Sequence, residues 1–215
     1  MQFKKDASIY NAAGEEIGQV ERVVINPDSK EITHIVVRRG ILFTEDRVIP
    51  IGLVASTSDE GVTLRSDAGE LEELPYFEVD QYVNLNEEEI ERADYPPDFA
   101  PPLYWYPSAG APPIGYPGYP GQPHIVKKAR NIPANTVPVK EGAKVISADG
   151  KQVGEVERIF TGPDDKVVTH FLISKGILFE EQKLAPVSWI DRIEETQIHL
   201  SVGSSLLENL PEHKD

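Results

Sequence analysis

The residues best suited to metal or acid–base chemistry are two histidines, His34 and His170, each of which follows a threonine. Histidine titrates near neutral pH and binds metals through either ring nitrogen. No aspartate, glutamate or second histidine lies at the spacing of a zinc ligand set around either one. We therefore predict that both are mainly structural side chains whose polar atoms are satisfied by backbone or a neighbouring strand. A pH-sensitive or metal-binding role is the alternative.

A second recurring pair is Glu21-Arg22, which appears again as Glu157-Arg158. Adjacent residues of a strand point to opposite faces, so each glutamate is expected to pair with a cation on a neighbouring strand. General acid–base catalysis would need two such groups in a pocket, and a small barrel fills its own interior with side chains. The sequence also lacks nucleotide-binding, nucleophile and zinc-protease motifs. We expect no enzyme, no catalytic or metal-binding residue and no cofactor.

The composition narrows the class of partner. The 215 residues include 36 acidic and 21 basic side chains, which give a net charge of −15. Such a chain is repelled by nucleic acid and by anionic lipid, whereas a basic protein surface would be attracted. There is no cysteine, and no apolar run approaches the roughly 18 residues of a spanning helix. We expect a cytoplasmic protein without a membrane span. Its expected partner is either another protein, for which a basic surface is one option, or a second copy of the same chain.

The elements that carry these residues occur twice. Residues 7–75 align with residues 143–211 at a constant offset of 136 and without a gap, with 23 identities in 69 pairs. Each copy has short runs rich in β-branched residues, as in residues 17–25 and 32–38. Turn-forming residues separate the runs, and a short helical turn is expected just before a closing proline. The pattern predicts a mainly β protein made of two small barrels.

Several motifs recur in the same order in both copies: two glycines four residues apart, Val-Glu-Arg, Pro-Asp, Thr-His, Gly-Ile-Leu-Phe and a later proline. This ordered set resembles the PRC-barrel family. The resemblance implies two PRC-barrels that act as non-catalytic docking domains. Known members include the cytoplasmic domain of the photosynthetic reaction-centre H subunit and the C-terminal domain of a ribosome maturation factor. The membrane helix or extra β-domain that precedes those barrels is not found here, so only the general docking role is expected to carry over. An assembly role like theirs is a further alternative.

The segment between the copies differs in character from both. Residues 76–98 carry eight carboxylates against Arg92 alone, and residues 95–123 contain ten of the 18 prolines. Proline removes backbone donors, so an extended or disordered spacer is expected there. The predicted boundaries are a first barrel over 1–83, an acidic helical extension over 84–94, a Pro-rich linker over 95–130 and a second barrel over 131–215.

The repeated Gly-Ile-Leu-Phe run and the two tryptophans are the strongest candidates for a docking patch, since a contiguous exposed apolar surface usually marks an interface. The predicted docking patch consists of Ile41, Leu42, Phe43, Ile177, Leu178, Phe179, Trp105 and Trp189. Barrel closure is the competing interpretation of the apolar run. The functional hypothesis is a scaffold that binds proteins through these surfaces. Its alternative is a regulatory protein that binds a small molecule or metal ion between the barrels, close to His34 or His170.

Overall fold

The computed structural model describes residues 1–4, 6–39, 45–84, 124–163, 166–174 and 182–213. The predicted mainly β class is confirmed. The first part of the chain contains strands β1 to β7 and two 3-10 turns, Ile51–Leu53 and Leu71–Glu73. These strands are β1 Gln2–Lys4, β2 Ser8–Tyr10, β3 Glu16–Ile25, β4 Ile32–Arg39, β5 Glu45–Pro50, β6 Val54–Thr57 and β7 Gly61–Leu64.

Two strands follow between the copies, and seven more with a 3-10 turn and one short helix complete the described chain. The intervening strands are β8 Glu78–Asn84 and β9 His124–Arg130. The last seven are β10 Val137–Lys140, β11 Lys144–Ile146, β12 Gln152–Thr161, β13 Val168–Ile173, β14 Lys183–Pro186, β15 Ile190–Ile193 and β16 Gln197–Leu200. The turn is Val187–Trp189 and the helix, α1, is Ser204–Glu208.

Both copies have the same sheet topology. The strand order is β5-β4-β3-β2-β7-β6 in the first copy and β14-β13-β12-β11-β16-β15 in the second. In each sheet one central pair is parallel, β2 with β7 and β11 with β16. The bulges recur as well, because both long ladders skip one residue after Val20 and after Val156. The duplication seen in the sequence is therefore a duplication of strand order and register.

Each copy contributes one strand to the sheet of the other. Strand β1 pairs with β12, where Phe3 lies opposite Ile159, and β10 pairs with β3, where Val139 lies opposite Val23. These pairs are related by the 136-residue offset, so the exchange is reciprocal. Strands β2 and β11 reach only the first half of β3 and β12. The exchanged strands occupy the second half of the same edges, which a single copy would leave without backbone partners.

One apolar core runs through both copies. It includes Ile9 and Val20 of the first copy and Val156 and Ile198 of the second, all nearly inaccessible to solvent. A smaller cluster lies on the first sheet alone, formed by Val24, Val36, Val48 and Phe77 with Ile132 packed against it. The two copies therefore share buried apolar surface as the halves of one domain do, and Met1–Phe77 and Asn131–Asp215 form one compact unit.

Glycine allows two neighbouring segments of backbone to approach closely at one point of each copy. A Cβ on Gly18 would lie 2.7 Å from the carbonyl oxygen of Arg38, and one on Gly154 would lie 2.5 Å from that of Ser174. Non-bonded heavy atoms do not approach this closely, so no other residue fits without moving a backbone. The equivalent contact in both copies shows that Arg38 and Ser174 occupy the same place in the fold.

The predicted terminal turns are present, and a buried cation holds each one. Arg47 Nη1 donates to the Leu74 carbonyl at 2.7 Å, and Lys183 Nζ donates to the Leu210 carbonyl at 2.7 Å. A cation at the C-terminal end of a helical turn binds carbonyls that have no partner in the turn. Only the second turn is α-helical, and there Asp149 accepts a hydrogen bond from the Ser204 backbone N–H at 2.8 Å.

The segment between the copies differs from the predicted boundaries. Residues 78–83, predicted as the end of the first barrel, and residues 124–130, predicted as linker, form the antiparallel pair of β8 and β9. Residues 78–130 group as a unit of their own. Within it Glu78 accepts from Lys128 Nζ at 3.2 Å and from Arg130 Nε at 3.3 Å. The predicted acidic helix beyond Asn84 and the predicted linker before His124 lie outside the described residues.

Candidate functional site

The interface between the two copies, called the joint from here on, is formed where β1 pairs with β12 and β10 pairs with β3. More charged and buried groups meet at the joint than around either histidine. Along β10 the backbone N–H of Glu141, just past the strand, donates to the Glu21 carbonyl at 3.1 Å. Along β1 the N–H of Thr161 donates to the Met1 carbonyl at 3.0 Å. An isolated bridge between Glu31 and Val167, flanked by two backbone hydrogen bonds, also joins the copies. The joint is therefore built from main-chain hydrogen bonds as well as apolar contact.

Two ion pairs cross the joint at equivalent positions. Arg22 lies 3.2 Å from Glu195, and Arg158 lies 3.1 Å from Asp59. Both arginine side chains are buried, which strengthens their attraction to a carboxylate relative to a solvated surface, and Arg158 Nη1 also donates a hydrogen bond to Asp59 Oδ1 at 3.1 Å. Each copy thus supplies an arginine to a carboxylate of the other, in addition to the strand that it exchanges.

A small cavity lies at the centre of the joint. Its volume is about 20 Å³, which is room for a single water molecule. Equivalent residues of both copies face it, and most of the exposed wall is apolar. The lining consists of Phe3, Lys4, Val20, Val23, Val139, Lys140, Glu141, Val156, Glu157 and Ile159. Neither His34 nor His170 lines this cavity.

Glu141 stands at the rim of the joint with a raised pKa. Burial is the largest cause, and it raises the pKa of this carboxyl from 4.5 to about 8. The backbone N–H of Asp6 donates to its Oε1 at 2.8 Å and opposes that shift, while the charges of Asp6 and Glu21 add to it. This shift favours the protonated form of Glu141 near neutral pH. Neither its position nor its pKa was predicted from the sequence, because its burial arises only when β10 joins the first sheet.

The predicted partner of Glu21 is found on the neighbouring strand. Glu21 lies at the bulge of β3 and is buried, and Arg38 of β4 binds it at 2.8 Å. Lys140 of the exchanged strand β10 lies 3.6 Å away on its other oxygen. The alternation of side chains along the strand predicts the pair of Glu21 with a cation of the neighbouring strand. The structure shows a second cation on Glu21, Lys140, which comes from the second copy. Arg22, the other half of the motif, binds across the joint instead.

Glu157 occupies the same place in the second copy with different surroundings. Arg38 is replaced there by Ser174, and Gln182 Nε2 donates to Glu157 Oε2 at 2.8 Å. Among the residues that the structure describes, no cation lies within ion-pair distance of Glu157. A surface cleft opens at this point, with a volume of about 330 Å³, lined by Lys4, Asp6, Glu155, Val156, Glu157 and Ser174.

The two predicted polar-site histidines lie apart from this cleft. His34 lies on β4 opposite Val24 and Pro50, and burial lowers its pKa. Its Nδ1 is buried and has no hydrogen-bond partner within the described chain, unlike the satisfied histidine that we expected. His170 lies at the equivalent place on β13, opposite Phe160 and Pro186. The described ranges contain no group of three histidine or acidic side chains placed to hold a metal ion.

Most of the predicted docking patch falls outside the described residues. This is the position of Ile41, Leu42, Phe43, Ile177, Leu178, Phe179 and Trp105. Trp189 is described: it ends a 3-10 turn and is half-buried against the core. The described residues with large exposed apolar side chains are Tyr76 and Leu206, at 44% and 47% exposure, and neither was predicted.

A comparison with known protein families finds a match for the part of the chain that contains the first sheet. Residues 5–71 match the model of the PRC-barrel domain. The match lies within the first copy of the repeat. The match extends from just after the exchanged strand β1 to the start of the first terminal turn, so it covers the strands that are paired in the order β5-β4-β3-β2-β7-β6. Comparison with curated proteins found no match for the chain.

One further finding concerns membranes. Among the described residues, no helix is long and apolar enough to cross a bilayer.

Proposed function

We propose that this protein is a non-catalytic scaffold built from two PRC-barrel domains that bind partner proteins as one body. The observation that carries the proposal is the reciprocal exchange of β1 and β10 between two sheets of identical strand order. A chain whose domains hold each other in one orientation presents two binding surfaces at a constant spacing. That is the property a scaffold needs.

The second copy is proposed as a PRC-barrel on the strength of its likeness to the first. Its strands have the same order, the same parallel pair and the same bulges as the sheet whose residues match the family model. Its buried cation, Lys183 where the first copy has Arg47, and its close glycine contact also correspond to those of the first copy. Sequence and register together support one fold used twice.

The chemistry of the described residues supports binding more than catalysis. The cavity at the joint has room for about one water, and the buried arginines beside it are each paired with a carboxylate. A net charge of −15 favours a basic protein partner over nucleic acid or anionic lipid. We place this role in the cytoplasm, where a chain without cysteine has no need of an oxidising compartment.

The test is site-specific photo-crosslinking of the full chain in cells, with the photoreactive residue at Leu206 in one variant and at Glu60 in another. Leu206 is an exposed apolar side chain, and Glu60 is an exposed polar one. We expect a discrete crosslinked protein from position 206 and not from position 60. The double substitution Phe43→Ser with Phe179→Ser should weaken the crosslink if the predicted docking patch takes part. A chain that sediments as a monomer and crosslinks to nothing at either position would refute the scaffold.

A regulatory protein that binds an ion is the second candidate, because the buried Nδ1 of His34 has no partner within the described chain. Titration calorimetry with Zn²⁺ and Ni²⁺ tests it. Binding that disappears in a His34→Ala/His170→Ala double variant would favour this function. Binding that persists in that variant, or none in the wild type, would exclude these histidines.

A further inference from the structure

The glutamate that recurs at the bulge, Glu21 in the first copy and Glu157 in the second, has different surroundings in the two copies: Glu21 is buried and Glu157 is half-buried. In the first copy, a guanidinium fills the space beside it, with Arg38 Nη2 lying 2.8 Å from Glu21 Oε2. In the second copy the equivalent of Arg38 is Ser174, whose Oγ donates to the Glu155 carbonyl at 3.2 Å. The close glycine contacts place the Arg38 and Ser174 backbones at corresponding positions. The difference is therefore one missing side chain on a shared backbone.

The space that this side chain would take is open and negatively charged. The cleft has a volume of about 330 Å³, and among the residues that the structure describes three carboxylates line it, those of Asp6, Glu155 and Glu157, against one amine, that of Lys4. Gln182 supplies a neutral hydrogen bond to one oxygen of Glu157. Among the described residues no ion pair forms with Glu155, Glu157 or Asp6, whereas Glu21 binds two cations.

We infer that this cleft binds an arginine side chain of a basic partner, in the place that Arg38 fills in the first copy. The first copy supplies the evidence that the site suits a guanidinium, because the same strands and the same bulge already hold one there. A planar guanidinium can donate to Glu157 and to a second oxygen at once, which an ammonium does less well. The inference rests on the proposed scaffold function and names the chemistry of one of its partners.

The test is an NMR titration of the full-length ¹⁵N-labelled chain with Nα-acetyl-arginine methylamide, with the neutral citrulline analogue as the matched control. We expect saturable shifts of the amides of residues 154–157 and 174 with the arginine probe and none with citrulline. Glu157→Gln should weaken the arginine probe about tenfold, since a charge-assisted hydrogen bond is lost. Ser174→Arg should abolish binding by filling the cleft from within.

A second variant makes the test reciprocal. Arg38→Ser should open a matching cleft beside Glu21 and produce new shifts at residues 18–21 and 38. These should be weaker than those of the second copy because Gln19 and Gly142 stand where the second copy has Glu155 and Asp6, and because Lys140 remains 3.6 Å from Glu21. Shifts that survive Ser174→Arg, or that citrulline reproduces, would overturn the inference, as would a wild-type chain without saturable shifts. Because the probe is a single amino acid, such a failure leaves the crosslinking test of the scaffold unaffected, and the two proposals can fail separately.

Discussion

At the scale of single residues, the repeated glycines are decisive because they set how closely two strands approach. We expect Gly18→Ala and Gly154→Ala each to lower the free energy of unfolding by roughly 1–3 kcal/mol, since the added methyl would overlap a backbone carbonyl. Gly52→Ala is the matched control, because a Cβ there meets nothing within 4 Å and its φ is not positive. Urea denaturation followed by circular dichroism measures all three. Equal effects at Gly52 and Gly18 would contradict the close approach.

Glu141 makes stability depend on pH in a direction that follows from its raised pKa. The pKa is about 8 in the folded chain against an ordinary value of 4.5, so between these values the folded chain holds a proton that the unfolded chain has released. The free energy of unfolding contributed by this group therefore falls as the pH rises from 4.5 to 8. Glu141→Gln keeps an oxygen for the Asp6 N–H and removes the titration.

The measurement is the urea midpoint of the wild type, Glu141→Gln and Glu60→Gln at pH 5.5 and pH 7.5. We expect the Glu141 variant to gain stability over the wild type at the higher pH and to differ less at the lower pH. Glu60 is an exposed carboxylate whose side chain makes no ion pair or hydrogen bond with the described residues, so its variant should follow the wild type at both pH values. A Glu141 variant parallel to the wild type would show that this carboxyl is ionised in the fold.

At the scale of elements, the exchanged strands β1 and β10 supply the main-chain hydrogen bonds that hold the two copies together. Hydrogen-bonded pairs alternate along an antiparallel ladder, and Glu141 N–H donates to Glu21, so Val139 also falls at a bonding position and Pro138 does not. The same alternation explains why a proline is tolerated in β10.

Val139→Pro should therefore cost about 1–3 kcal/mol more than Val139→Ala, because only the proline removes the N–H and leaves a carbonyl of β3 without its donor. Pro138→Ala, one residue away, should change the free energy of unfolding by less than about 1 kcal/mol. Denaturation midpoints of the three variants decide this prediction. A Pro138 variant as damaging as Val139→Pro would mean that the register of β10 on β3 is wrong.

At the scale of the whole molecule, a core that runs through both copies predicts that they unfold together. Ile9 lies in the first copy and is fully buried, while Trp189 lies in the second and reports on its packing. In a Trp105→Phe background, Ile9→Ala should lower the stability by roughly 2–5 kcal/mol and move the Trp189 fluorescence transition as far as the circular dichroism transition. A fluorescence transition that stays in place would show that the copies unfold independently.

Residues that recur at the 136-residue offset determine the fold of each copy, and they can be found in the sequence alone. Glycines, turn residues and β-branched runs act on their immediate neighbours, so the mainly β class and the terminal turns follow from local rules. The cross-strand partner of Glu21 was predictable for the same reason. The hairpin of β8 and β9 was not, because its strands lie 40 residues apart and the acidic and proline-rich segments between them dominated the pattern.

Only the tertiary structure shows how the two copies are joined, by each supplying a strand to the sheet of the other. Alternation within Val20 to Ile25 says which residues face the core, but not that the outer edge of β3 accepts a strand from the other copy. That pairing depends on contacts between residues more than 100 positions apart, as do the raised pKa of Glu141 and the open cleft beside Glu157. The repeat itself contained one signal of the cleft, the replacement of Arg38 by Ser174. Only the three-dimensional position of the carboxylates around Ser174 gave that replacement a chemical meaning, because charge acts through space and not along the chain.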